Sequence, residues 1–334
     1  NSIFVLFFFY VLRKFQLDLN YCFLYSLFLS ILAYPSSGTP YVDHQSSYLS
    51  VMAVFSFILA LKTNSRIWWL ILPTILGISF LTKQTPTSYI FIIILILTVF
   101  YFICNFDLKK IISGLIGSLI TLTLFFLFMF LGEIPIESFF NQYILFPISV
   151  GELRLAEGVL YPLDFERVFL RFKLIHLSGV ILLIVALKNI FKNRNYFLKN
   201  EFLIIFSLIG LIFSLIIHQL MTINGIYIYF LIPILVAFSH IYQKKYFNNK
   251  IYITYLLIFL STSSTLYYSY KYINKRSFMD LTNTNISKAL DSNYIHKKLS
   301  GLKWITPQQP DNPKGEMNKI KKIMKTIKND NSNK

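Results

Sequence analysis

Acidic residues are scarce in this chain. It carries 15 Asp and Glu against 32 Lys and Arg in 334 residues, a formal net charge of +17. Between Asp18 and Asp107 the sole carboxylate is Asp43. Charged residues of both signs make up only 14% of the composition, against 55% hydrophobic residues and a mean hydropathy of +0.58. A water-soluble protein of this length needs far more polar surface to cover itself, so a soluble globular fold is excluded. Cysteine is rarer still. Cys22 and Cys104 stand in or beside apolar runs, which supplies neither a disulfide framework nor a thiolate metal site, and both are expected to be packing residues. Patterns of the GxSxG, P-loop and HExxH kinds are also missing, removing those signatures of hydrolases, NTPases and zinc peptidases. The opening NSIFVLFFFYVL has no initiator Met, basic leader or small-residue cleavage site. It reads as the remainder of a span begun earlier, so a fragment is expected, with no signal peptide in view.

What is abundant is the long apolar run, the mark of a membrane-spanning helix at about 18 or more residues. Runs over 2–12, 21–34, 46–62, 67–82, 87–104, 111–132, 174–191, 201–218, 225–243 and 251–270 predict an all-α polytopic membrane protein with about ten transmembrane segments. They are continuous rather than alternating every second residue, which argues against a membrane β-barrel. Lys and Arg concentrate in every other connection: Arg13 and Lys14, Lys62 and Arg66, Lys109 and Lys110, Lys188 to Lys199, and Lys244 to Lys250. By the positive-inside rule these connections face the cytoplasm, and 35–45, 83–86 and 219–224 face outward. Topology thus explains the short-loop positive charge, and no aromatic-interleaved basic patch points to nucleic acid.

Two outward segments are longer. The stretch 133–173, beginning EIPIESFFNQYILFPISVGELRLAEG, mixes acids, arginines, aromatics and prolines and is expected to form an interfacial loop, amphipathic over 136–150. The domain division expected is a membrane domain over 1–270 and a small, truncated extracytoplasmic tail over 271–334. Within the tail, LSGLKWITPQQPDNP reads as strand or loop with turns, and Met317, Ile320, Ile323, Met324 and Ile327 are spaced as one face of a helix over 315–329. No internal repeat is evident, which weighs against transporters built from inverted repeats.

An ionisable residue near a span is a functional signal because burying it without a partner is costly. Asp43, in YVDHQSS, is expected at the outer end of a span starting near Ser46. One reading makes it a helix cap; the other makes it a site carboxylate, with His44 and Gln45 supplying hydrogen bonds. Lys83, in FLTKQTPT, breaks the positive-inside pattern. It either snorkels to headgroups or meets a substrate phosphate as a compact point charge, with Gln84 and Thr85 beside it. Glu152 and Arg154 form a further candidate group, or an ordinary solvated loop in which Arg154 pairs with Glu157. His176, His218 and His240 stand singly at span edges and read as interface or packing residues; Tyr227 and Tyr229 resemble an aromatic belt.

The stretch TPYVDHQSSYLSVMAVFSFILALKTNSRIWWLILPTILGISFLTKQTPTSYIFI resembles the core of GT-C membrane glycosyltransferases, in the branch of dolichyl-phosphate-mannose protein mannosyltransferases and aminoarabinose transferases. Asp43 matches that family's outward acid, and Gly77, Leu81, Thr82 and Lys83 match its G-x-x-x-LTK pattern. LKWITP, Leu302 to Pro307, resembles the start of an extracytoplasmic tail. The resemblance implies sugar transfer from a polyprenyl-phosphate donor to a lipid, glycan or protein acceptor on the outer face of a bacterial plasma membrane. A carboxylate base and cations that stabilise the leaving phosphate would carry the reaction. The family's principal acid lies in a loop that this chain is expected to begin beyond, so Asp43, with His44, would be a supporting acid. Lys83, Gln84, Glu152 and Arg154 would bind substrate. Some relatives use a divalent metal; nothing here indicates one, and the cofactor stays open. A flippase or transporter for a lipid-linked saccharide, and a protein like O-antigen polymerases or ligases with Arg154, Arg167 and Arg171 in its large loop, are the alternatives.

Overall fold

With no water to satisfy backbone polar groups in lipid, a chain this apolar is driven to bond them within helices. The computed structural model describes residues 1–34, 41–156, 165–192, 200–222, 228–247, 250–272, 285–306 and 311–329, without the side chains of 154–156, 186–192, 222, 328 and 329. It is 86% helical. The chain divides into two compact units, Asn1–Tyr272 and Ile273–Lys334.

The first unit runs α1 (Ser2–Lys14), α2 (Leu19–Leu32), α3 (Val42–Thr63), α4 (Arg66–Thr82), α5 (Gln84–Cys104) and α6 (Leu108–Leu131). It continues through α7 (Ile136–Phe139), a π-helical stretch Phe140–Leu145, α8 (Phe146–Ala156), a second π-helical turn Glu166–Leu170, α9 (Lys173–Lys192), α10 (Asn200–Thr222), α11 (Leu231–Tyr246) and α12 (Ile251–Tyr272). Among the described residues, five helices are long and apolar enough to cross a membrane: α3, α5, α6, α10 and α12. Leu19–Leu32, Arg66–Thr82 and Lys173–Val185 are shorter apolar helices. The stretch 133–173, expected as an interfacial loop, is helical over 136–156, because its apolar and aromatic residues recur at helical rather than loop spacing.

The core forms around α3, which packs against α1, α4, α5 and α10 and is buried along nearly its whole length. Phe4, Phe8, Tyr48, Phe55 and Phe230 meet there in stacked and edge-to-face pairs with centroids 5.0–6.2 Å apart, the geometry that aromatic quadrupoles favour. A second bundle gathers α11, buried from Leu231 to Gln243, against α2, α9 and α12.

Local chemistry sets the helix ends. Asn64 closes α3 in the left-handed region at φ 55°, which Asn tolerates better than most residues. Asp107 caps α6 by accepting from the backbone N–H of Lys109 at 3.0 Å and of Lys110 at 3.3 Å. The two ends are clasped by Lys110, whose buried ammonium donates to Asn64 Oδ1 at 2.5 Å and Tyr101 Oη at 2.9 Å. Helices α4 and α6 approach so closely that a Cβ added at Gly117 would stand 2.1 Å from the carbonyl oxygen of Leu70. Small residues permit such backbone contact between helices in lipid.

The second unit, taken by itself, pairs β1 (Leu290–Asp291) antiparallel with β2 (Lys303–Trp304), in register Leu290 with Trp304, and ends in α13 (Pro313–Asn329). Ser292, Ile295, Pro313 and Met317 are its buried residues among the described ones. The expected helix over 315–329 thus begins two residues earlier, at Pro313, a residue suited to a helix start.

Candidate functional site

The site forms where three helix ends meet. Pro86 biases its predecessor away from helical backbone, and Thr85 lies at φ −109°, ψ 136°. Lys83 is likewise extended and both closes α4 and opens α5. The TKQTP sequence therefore breaks one apolar run into two helices and leaves a lysine at the break. Asp43 faces it from α3. The helix starts at Val42, with Tyr41 in the capping position, so Asp43 lies in the first helical turn. This corrects the cap reading, which assumed a start near Ser46. Its carboxylate is free to look sideways rather than back at the helix N–H groups, while still lying at the favourable end of the helix dipole.

The Asp43 and Lys83 side chains form an ion pair. Asp43 Oδ1 also lies 3.3 Å from Nε2 of His218, near the end of α10. His218 is fully buried and the Asp43 side chain is 9% exposed, whereas that of Lys83 keeps 23%. The carboxylate is thus enclosed, and of Lys83 and His218 the lysine is the more accessible. A carboxylate held between an ammonium and an imidazole can fix the tautomer of the histidine and present a positive charge to an anion without leaving any ion unpaired.

Beneath this pair lies a buried hydroxyl cluster. Ser79 meets Thr87 at 2.7 Å and Ser50 at 3.0 Å, and Thr87 meets Ser46 at 3.0 Å and Ser50 at 3.2 Å. Ser79 donates to the carbonyl of Ser46 at 2.9 Å, and Ser46 and Thr87 both reach that of Lys83 at 3.2 Å. All four side chains are buried. The network locks α3, α4 and α5 together and pins the backbone of Lys83, which keeps the long lysine side chain aimed at Asp43.

The other expected site residues fare differently. His44 is buried beside Tyr41 and Tyr48, at ring centroids of 6.0 and 6.2 Å, and its Nδ1 makes no hydrogen bond among the described residues. Gln84 donates to the carbonyl of Tyr143, whose own hydroxyl donates to that of Phe80. Gln84 therefore anchors the π-helical stretch to the α4–α5 turn. Glu152 is exposed on α8, and among the described residues no hydrogen bond or ion pair joins it to Asp43 or Lys83. The Arg154 side chain, Glu157 and Tyr227 lie outside the described residues. Among the described residues no group of three or more His, Cys, Asp and Glu is placed to hold a metal ion.

His218, which the sequence presents as an interface or packing residue, instead joins the site. Its signal was present: an ionisable side chain in the run IFSLIIHQLM, which at membrane depth calls for a partner. That partner, 175 positions earlier in the chain, is visible only in the fold.

Two apolar cavities adjoin the Lys83 break. One of about 610 Å³ is lined by Leu81, Thr82, Thr121, Phe125 and Tyr143 among others; another of about 530 Å³ is lined by Gly77, Phe80, Thr87, Ser88 and Thr121 among others. Thr121 borders both, and exposed Phe91, Ile92 and Leu122 line the second. Both cavities are lined by residues of α4 and α6, and Thr82 and Thr87, close to Lys83 in sequence, belong to one each. No protein-family model, curated protein or solved structure matches this chain.

Proposed function

We propose that the chain is a membrane glycosyltransferase of the GT-C kind, moving a sugar from a polyprenyl-phosphate donor to an acceptor hydroxyl. The observation that carries this reading is the enclosed Asp43 carboxylate between Lys83 and His218, with two apolar cavities lined by residues that flank the lysine in sequence, Thr82 in one and Thr87 in the other. Such a donor is itself a charged head on an oily tail. Lys83 meets the phosphate and neutralises the charge that grows as it leaves. The acceptor oxygen forms its bond to the anomeric carbon, the bond from that carbon to the phosphate oxygen breaks, and polyprenyl phosphate departs. The acceptor proton passes to the Asp43–His218 pair, the local base. In this reading helices α1, α2, α4, α9 and α11 join the five long ones as ten segments of a bacterial plasma-membrane protein, and the Lys/Arg distribution supports an outward-facing site.

The test uses the chain, with any flanking sequence its gene encodes, in proteoliposomes supplied with radiolabelled polyprenyl-phosphate sugars. Transfer of label is expected. Asp43→Asn, Lys83→Ala and His218→Gln should each lower the rate at least about tenfold while the protein stays inserted and folded. Absence of transfer, together with movement of the lipid-linked sugar across the bilayer, would replace the transferase reading with that of a flippase.

A further inference from the structure

The two halves of α13 have different surroundings. In the first half Met317 is fully buried, Glu316 accepts from Trp304 Nε1 at 3.0 Å and Thr306 Oγ1 at 2.9 Å, and Asn318 accepts from the Tyr294 hydroxyl at 2.7 Å. From Lys321 to Ile327 every residue is exposed. Ile323, Met324 and Ile327 are 58%, 41% and 67% exposed. Helical periodicity puts these three on the same face as Ile320 and Met317, with Lys319, Lys321, Lys322 and Lys325 around the rest. The helix has one acid, Glu316, and it is spent on Trp304 and Thr306. What remains outside is an oily strip bordered by lysines that pair with no acid among the described residues, Lys321 also lying over the Tyr294 ring at 4.5 Å.

We propose that the C-terminal half of α13 lies on an anionic bilayer surface. Ile323, Met324 and Ile327 sit at the boundary between headgroups and acyl chains, with the lysines against lipid phosphates. Charge complementarity selects this occupant: a basic amphipathic strip matches an anionic lipid surface, whereas two copies of it would bring lysines together. The chain also supplies proximity. Only the segment 273–312 separates α13 from α12, a helix long and apolar enough to cross the membrane, so the effective concentration of lipid surface near α13 is high.

The test is amide hydrogen exchange on the full chain reconstituted in vesicles of phosphatidylcholine, alone or mixed with phosphatidylglycerol. Peptides covering 319–329 are expected to exchange about tenfold more slowly in the mixed vesicles, with the difference shrinking at high salt. Joint replacement Lys321→Gln, Lys322→Gln and Lys325→Gln should abolish the dependence on phosphatidylglycerol. Ile323→Ser with Ile327→Ser should abolish the protection itself. Unchanged exchange around Met317 confirms that each variant keeps its fold. Equal rates in the two vesicle types would overturn the proposal. So would protection that rises with protein density rather than lipid charge, which would assign the strip to a second copy of the chain.

Discussion

Asp43 illustrates how little a single residue's chemistry says until its partner is known. As the sole acid between Asp18 and Asp107 it attracts notice in the sequence, but capping a helix and serving a site predict the same residue at the same place. The fold separates the two, because the carboxylate engages Lys83 and His218 while Tyr41 occupies the capping position. A pair enclosed in this way makes a specific thermodynamic forecast. Removing one member leaves an uncompensated charge and costs about 3–5 kcal/mol, whereas removing both costs much less. Lys83→Met should therefore destabilise the protein by about 3 kcal/mol, near the lower bound because the lysine keeps 23% exposure. Asp43→Asn together with Lys83→Met should recover most of that loss. Denaturant unfolding in micelles measures both, and strictly additive single and double variants would show that the pair is energetically idle.

Among the elements, the packing of α4 on α6 is the most exacting. At Gly117 an added Cβ meets the Leu70 carbonyl oxygen at 2.1 Å and the Pro73 ring at 2.9 Å, atoms that a backbone cannot easily move. Gly117→Val is expected to cost about 3 kcal/mol through overpacking. Gly151→Ala serves as the control, since no described residue lies within 4 Å of an added Cβ there, and should stay within about 0.5 kcal/mol. Equal melting temperatures for the two variants would contradict the close approach. The same contact bears on the site, because α4 carries Ser79 and ends at Lys83. A helix forced away from α6 would disturb the hydroxyl cluster that holds the lysine. The broken α4–α5 connection is legible in the sequence as a proline after a short polar stretch. The hydroxyl cluster is not, since serines and threonines recur throughout the chain and only packing selects Ser46, Ser50, Ser79 and Thr87.

For the molecule as a whole, α3 is the element on which the reading of sidedness rests. Its 22 residues span about 33 Å, enough to cross a bilayer's hydrocarbon core, with Asp43 near one end and Lys62 near the other. Single cysteines at Val42 and Thr63, in a background with Cys104→Ser, are therefore expected to react with an impermeant maleimide from opposite sides of sealed vesicles. Labelling of both from one side would remove α3 as a crossing helix and with it the outward placement of Asp43. Among the described residues, five helices of crossing length stand against ten apolar runs. Apolar runs such as 2–12 and 225–243 become the 13-residue α1 and the 16-residue α11, and α11 is buried by its neighbours, so hydrophobicity alone does not separate a helix facing lipid from one facing protein.

Composition by itself determined that this chain is helical and suited to a membrane, because too few polar residues exist to cover a soluble surface and lipid leaves the backbone no alternative to internal hydrogen bonds. Periodicity determined the amphipathic face of α13, and Pro86 the break beside Lys83, since both are local effects of side-chain spacing and ring geometry. Only tertiary structure decided which ionisable groups share a site. Asp43, Lys83 and His218 come from three helices, and the burial that makes their meeting consequential is a property of packing. It likewise set Gln84 against the Tyr143 carbonyl and His44 among tyrosines, because neighbours on one helix point in different directions and only the surrounding helices determine what each one meets.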